Sequence, residues 1–257
     1  MAEMKYSELL VDVDDEVFKI TLNRPQKLNG LSKGLIAELE TALTLFSNDE
    51  GTGVAVITGS ERAFCCGADL EEIKRINSVK KLQDYMREIQ SLFELIESLN
   101  KPVIAAIAGM AFGGGLELAL ACDVRISSKE AIFAAPEINI GFLPSAGGMS
   151  RLPWLIGKGR AAEMIYTGRR VNATEAHLWG LVNILVETDT LGKGAFELAK
   201  EISGKSRMAI HLGKKLLNLT DPGNIQAARE LEVYSAGTLF SLPETQEILS
   251  RFDKRKS

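Results

Sequence analysis

The sequence predicts an α/β core followed by a helical C-terminal part. Strand-like apolar runs alternate with helical patterns up to about residue 186. Past Gly157 helical patterns take over, and after 186 only they remain. Hydrophobic residues make up 46% of the 257, enough for a sizeable core in one large domain. The reading divides the chain into residues 1–190, which carry the α/β core and the candidate site, and residues 191–257, a helical region.

The elements follow in order. Leu9 to Asp12 and Val17 to Leu22 run apolar or alternate around Asp14-Asp15, which reads as a hairpin ended by Arg24-Pro25. Ser32 is placed to cap a helix with Leu35, Leu39, Leu43 and Phe46 on one face. Val54 to Thr58 is a short buried strand. A second amphipathic helix carries Leu82, Met86, Ile89, Phe93 and Ile96. Val103 to Ile107 is the next strand, Gly113 to Cys122 a helix, and Val124 to Ser127 and Ala131 to Phe133 short strands. Helical patterns then cover Arg160 to Tyr166, Leu191 to Ile202, Met208 to Leu217, Ile225 to Leu239 and Glu244 to Phe252.

Composition excludes several classes of function. A net charge of -4 argues against a nucleic-acid surface, although Lys254, Arg255 and Lys256 form a basic tail. Met1 to Leu10 contains acids and no apolar segment, unlike a signal or transit peptide. The apolar run Pro102 to Cys122 is long enough to span a bilayer, but four glycines interrupt it and Glu117 sits inside it. A buried strand-turn-helix is the better reading, and no membrane partner is expected. Three cysteines, Cys65, Cys66 and Cys122, make no disulfide framework and point to a reducing compartment, the cytoplasm.

Two carboxylates stand where carboxylates are expensive. Glu117 is the only charged residue from Pro102 to Cys122, and Glu137 the only one from Ala131 to Ser150. An unpaired buried carboxylate costs several kcal/mol, so such a group shifts its pKa or finds partners. Each has a bland explanation by itself. Glu117 lies in a first helical turn, where the dipole favours an acid, and Glu137 follows Pro136 in a turn. Together, with glycines beside them, they point to acid–base chemistry. Gly113-Gly114-Gly115 and the turn Cys66-Gly67-Ala68-Asp69 are both apolar-to-glycine turns that leave N–H groups outward. One N–H from each, converging on one oxygen, would make an oxyanion hole. Asp69 is also placed to cap a following helix.

Other chemistries fit poorly. Gly109-x-x-x-Gly113-Gly114-Gly115 is a weak dinucleotide loop, and Gly204-Lys205-Ser206 lacks the upstream glycine of a P-loop, since Ala199 stands there. No Tyr-x-x-x-Lys pair and no Gly-x-Ser-x-Gly elbow occurs. His177 and His211 have no metal-ligand spacing, so no metal site is expected.

At this point the residues resemble a family. Ala63-Phe64-Cys65-Cys66-Gly67-Ala68-Asp69-Leu70 is similar to the glycine turn of crotonases, the enoyl-CoA hydratase/isomerase family. Ile107 to Ala119 resembles their glycine-rich helix start, and Phe133 to Gly141 with Pro144 to Gly148 their second acidic segment. Leu22-Asn23-Arg24-Pro25 and Gly180-Leu181-Val182-Asn183 also fit, so the likeness covers nearly the whole chain. Leu28-Asn29-Gly30 and Gln246-Glu247-Ile248 depart from the family's usual pattern, the latter where coenzyme contacts are expected.

The resemblance implies a spiral of ββα turns with a helical C-terminal trimerisation region, assembled as a homotrimer or a dimer of trimers. It implies an acyl-CoA thioester substrate, with coenzyme A part of the substrate and no separate cofactor. It places the oxyanion N–H groups at Ala68 and Gly114 and substrate contacts at Ala68, Asp69, Leu70 and Gly114. Its hydratase acids fall at Glu117 and Glu137, twenty residues apart. The implied reaction is reversible hydration of a trans-2-enoyl-CoA, Glu117 mainly activating water and Glu137 protonating carbon. The alternative is an enoyl-CoA isomerase or another acyl-CoA enzyme of the family. The acyl pocket is expected beyond Asp69, around Phe142 and from the C-terminal helices.

Overall fold

A computed structural model describes residues 6–205, 207–219, 240–241 and 243–251. The expected helix Ile225 to Leu239 and the basic cluster at Lys254 lie outside them. The first hairpin pairs β1 (Leu9–Asp14) antiparallel to β2 (Val17–Leu22), with Leu9 opposite Leu22. Its turn uses Asp15 at φ 55°, a left-handed conformation that a short polar side chain tolerates.

β2 then pairs in parallel with β3 (Val54–Thr58), and the sheet continues through β5 (Val103–Ile107), β7 (Val124–Ser128) and β10 (Ile184–Val186). A smaller sheet has the order β4 (Ala63–Cys65), β6 (Met110–Phe112), β8 (Ile132–Ala134) and β9 (Arg170–Asn172). The strand pairs β3 and β4, β5 and β6, and β7 and β8 each send one strand to each sheet, then give way to helix. The expected spiral of ββα turns is this repeat. The helices are α2 (Leu70–Arg75) and α3 (Val79–Ser98) after β4, and α4 (Gly114–Ala121) after β6. After β8 come a 3-10 turn (Pro136–Ile140), α5 (Gly148–Ile156) and α6 (Lys158–Thr167), and after β9 comes α7 (Ala173–Leu178).

The central parallel strands β3 and β5 of the main sheet are buried on both faces. Ala55, Ile57, Val103, Ala105 and Ile107 face one core with α1 (Lys33–Asn48) and α3. The alternate residues Val54, Val56, Ile104 and Ala106 face a second core with Leu191, Ala195 and Ala199. The period of two follows from the strand pleat. α1 buries Leu35, Ile36, Leu39, Leu43 and Phe46, and Ser32 caps it by accepting from the Leu35 N–H. Each such fully buried side chain contributes roughly 1.5–3 kcal/mol. α8 (Leu191–Ser203), the first helix of the C-terminal region, is thus the cover of the sheet's second face.

α9 (Arg207–Leu219) docks through the buried Lys214. Its Nζ donates to the Ile96 and Lys101 carbonyls and to Asp123 at 2.8 Å. A further helix spans Pro243–Arg251. Among the described residues no helix is long and apolar enough to cross a membrane.

Candidate active site

Three adjacent parallel strands of the small sheet build the site, because the segments that leave their C-terminal ends meet. β4 runs into the Cys66–Asp69 turn, β6 into Gly113 and α4, and β8 into the 3-10 turn that carries Glu137. Parallel pairing sets Phe112 beside Ala134, so Glu117 and Glu137 enter the same space one short step beyond the sheet.

The Cys66–Asp69 turn is held against Leu31 as a one-residue parallel bridge. The Leu31 N–H donates to the Gly67 carbonyl, and the Asp69 N–H to the Leu31 carbonyl. Because successive amides of extended chain point to opposite sides, the Ala68 N–H faces away from Leu31. Asn29 secures the approach. Buried and at φ 55°, it donates to the Ala63 and Phe64 carbonyls and accepts from the Arg24 N–H.

On the other side, Gly113 at φ 52° turns the chain so that Gly114 starts α4 with its N–H free of any helical acceptor. The two donors lie side by side. A Cβ on Gly114 would stand 3.4 Å from the Ala68 nitrogen. A Cβ on Gly113 would stand 2.9 Å from Glu137 Oε1, so only glycine admits the acid there.

Glu117 is buried in α4, and its Oε1 accepts from the Ala146 N–H at 2.9 Å and the Gly148 N–H at 2.8 Å. The second donor opens α5, so the carboxylate sits at the positive end of that helix. Burial pushes the Glu117 carboxyl above its ordinary pKa, while the two amides and the Arg151 guanidinium pull it back. Glu137 has less help, from its own backbone N–H alone. Its Oε2 is enclosed without a hydrogen-bond partner among the described residues. Burial and the neighbouring Glu117 charge push its pKa up to about 8. The two amides and the guanidinium around Glu117, against the unpartnered Oε2 of Glu137, make Glu117 the acid of the pair that ionises first.

Both acids, with Ala68 and Gly114, line one cavity of about 290 Å³, whose other walls are mainly apolar: Leu70, Ile73, Met86, Ile89, Phe142 and Leu143. The arrangement can polarise a carbonyl with two backbone N–H groups and offer a base and an acid in one mainly apolar space.

Comparison with known proteins agrees with this geometry. The family described as enoyl-CoA hydratase/isomerase matches residues 12–257. A "Crotonyl-CoA hydratase" of Syntrophomonas wolfei is 34% identical over 99% of this chain and 98% of its own. A "Probable enoyl-CoA hydratase" of Rhizobium meliloti is 38% identical over 99% and 98%. The chain belongs to the enoyl-CoA hydratase/isomerase family. A crystal structure of an enoyl-CoA hydratase/isomerase from Xanthobacter autotrophicus Py2 superimposes with a TM-score of 0.91, at 28% identity and covering 98% of this chain and 96% of that one.

Within this family fold, the structure brings together Glu117, Glu137, Ala68, Gly114 and Leu70 from the residues singled out in the sequence. Asp69 is turned elsewhere. Its carboxylate caps α2 through the Glu71 and Glu72 N–H groups and pairs with Arg24 at 3.0 Å, and it does not line the cavity. An N-capping aspartate spends its oxygens on the helix and its cationic neighbour, so its carboxylate is not offered to the cavity. Phe142 lines the cavity as expected, with Phe240 of the C-terminal part packed edge-on against it, ring centres 6.3 Å apart.

The sequence reading missed Asn29, Gln90 and Arg151. Each is a buried polar residue, and each bonds to the loops that shape the site. Only Asn29 left a signal, in the departure of Leu28-Asn29-Gly30 from the family pattern. His177 packs with Nδ1 3.0 Å from the Val182 carbonyl, outside the site.

Proposed function

We propose that this chain is an enoyl-CoA hydratase that adds water reversibly across the double bond of a trans-2-enoyl-CoA. The observation that carries the reading is the pair of glutamates in one cavity, with contrasting hydrogen-bonding environments, beside the neighbouring backbones of Ala68 and Gly114. The hydratase names of the relatives support the same reading.

The thioester carbonyl accepts from the Ala68 and Gly114 N–H groups. These hold the negative charge that develops on oxygen as C3 is attacked, worth about 3–4 kcal/mol per donor by analogy with other oxyanion holes. Glu117 takes a proton from water as hydroxide bonds to C3, and Glu137 gives its proton to C2. The cycle closes when a proton returns from Glu117 to Glu137 through solvent. The apolar walls formed by Leu70, Met86, Ile89 and Phe142 receive the acyl chain. The reading extends to a homotrimer or dimer of trimers and to a cytoplasmic location; family likeness supports the first, and free Cys65, Cys66 and Cys122 the second.

The test is product analysis. Incubation with trans-2-butenoyl-CoA should give a product heavier by one water and bearing a 3-hydroxyl. An unchanged mass with a migrated double bond on a longer 3-enoyl-CoA would identify an isomerase instead.

A further inference from the structure

The loop that holds Glu117 is itself held. The Ala146 N–H that donates to Glu117 shares a peptide plane with the Ser145 carbonyl, and that carbonyl accepts from Gln90 Nε2 at 2.9 Å. The next peptide is held as well, since the Ala146 carbonyl accepts from Arg151 Nη1 at 3.0 Å. Arg151 is fixed in turn by Glu97 of α3, through Nε to Oε1 at 2.5 Å and Nη2 to Oε2 at 2.9 Å. Gln90 is a buried amide on a helix face otherwise made of Tyr85, Met86, Ile89 and Phe93, a position that serves packing poorly.

We infer that Gln90 and Arg151 are positioning residues for Glu117, a role that rests on the proposed hydration chemistry. Gln90 locks and polarises the peptide whose N–H grips the carboxylate, and Arg151, oriented by Glu97, fixes the following peptide and adds positive charge. Hydrogen-bonded chains of this kind polarise one another in a low-dielectric interior. A bidentate carboxylate–guanidinium pair holds its geometry more rigidly than a lysine would. α3 thereby joins two jobs, walling the acyl cavity with Met86 and Ile89 and setting the base at its end.

The charged and titratable groups that face Glu117 are few. Glu137 comes from the 3-10 turn, Arg151 from α5 and, behind it, Glu97 from α3. β4 brings the buried Cys65 thiol, which burial keeps neutral, and β6 brings no charged side chain. The acid limb of the pH profile of kcat/KM, where the base must be ionised, therefore reads the clamp.

The test compares Gln90→Leu and Glu97→Gln with the unaltered enzyme, using trans-2-butenoyl-CoA. Gln90→Leu weakens the donor to Glu117, so the acid limb should move up by about 1 pH unit. Its kcat should fall at least about 10-fold with KM little changed. Glu97→Gln loosens the bidentate pair that orients Arg151, so the acid limb should move up here too. Limbs that stay in place in both variants would overturn the inference, because a merely structural defect lowers kcat without moving the limb. Glu117→Gln separates the two claims. If it still turns over, the hydration chemistry is wrong. If it is dead while the limbs of the other two variants do not move, only the clamp is.

Discussion

Gly148 donates its backbone N–H to Glu117 Oε1 at 2.8 Å, and a Cβ on Gly148 would stand 2.9 Å from that same oxygen and 2.7 Å from Pro144 Cβ. The contact that orients the base leaves no room for a side chain. Gly148→Ala should displace the Glu117 carboxylate and lower kcat by about 10²-fold, as misplacement of a reacting group by an ångström does. Steady-state kinetics with circular dichroism as a fold control checks it. Gly113→Ala should act likewise on Glu137, with added strain from the positive φ.

The two acids set a bell-shaped pH profile. Activity needs Glu117 ionised and Glu137 protonated, so kcat/KM should fall below the raised pKa of Glu117 and again as pH climbs through about 8. The two limbs belong to the pair rather than to either residue alone. A profile still rising at pH 9 would contradict the acid role of Glu137.

The same shift predicts a stability effect. The Glu137 pKa is higher in the folded chain than its ordinary 4.5. Its contribution to stability is therefore fully present below that ordinary value and is lost as pH rises through the folded one. Glu137→Gln should melt near the unaltered protein at pH 4.5 and increasingly above it toward pH 8, by about 2–4 °C for each kcal/mol. Melting curves at several pH values read this directly.

Away from the site, Lys214 is the buried tie of α9 to the core. Lys214→Met takes the ammonium from two carbonyls and from Asp123, which keeps the Val103 N–H, and should cost about 3 kcal/mol. Denaturant unfolding measures the loss, while kcat per folded molecule should stay unchanged.

How far the sequence revealed this depended on contrast. Glu117 and Glu137 stood out because each is a lone charge in an apolar run, and Gly113 and Gly67 because glycine marks a turn. Long elements such as α1 and α3 were legible from their period. The three-residue strands β4, β6 and β9 were not, since periodicity needs more residues than they have. Gln90 and Arg151 were invisible for another reason. A polar residue on an amphipathic helix reads as solvent-facing, and only tertiary packing reveals that it is buried. Met86 and Ile89 likewise read as core, and the structure shows that the core they face is partly a cavity.

The central claim is that Glu117 and Glu137 act as a base and an acid on one bound enoyl thioester. The most direct test is kcat for hydration of trans-2-butenoyl-CoA by Glu117→Gln and Glu137→Gln, with acyl-CoA binding measured alongside. Each should fall by at least about 10²-fold while binding and fold persist. Near-unaltered turnover in either variant would contradict it.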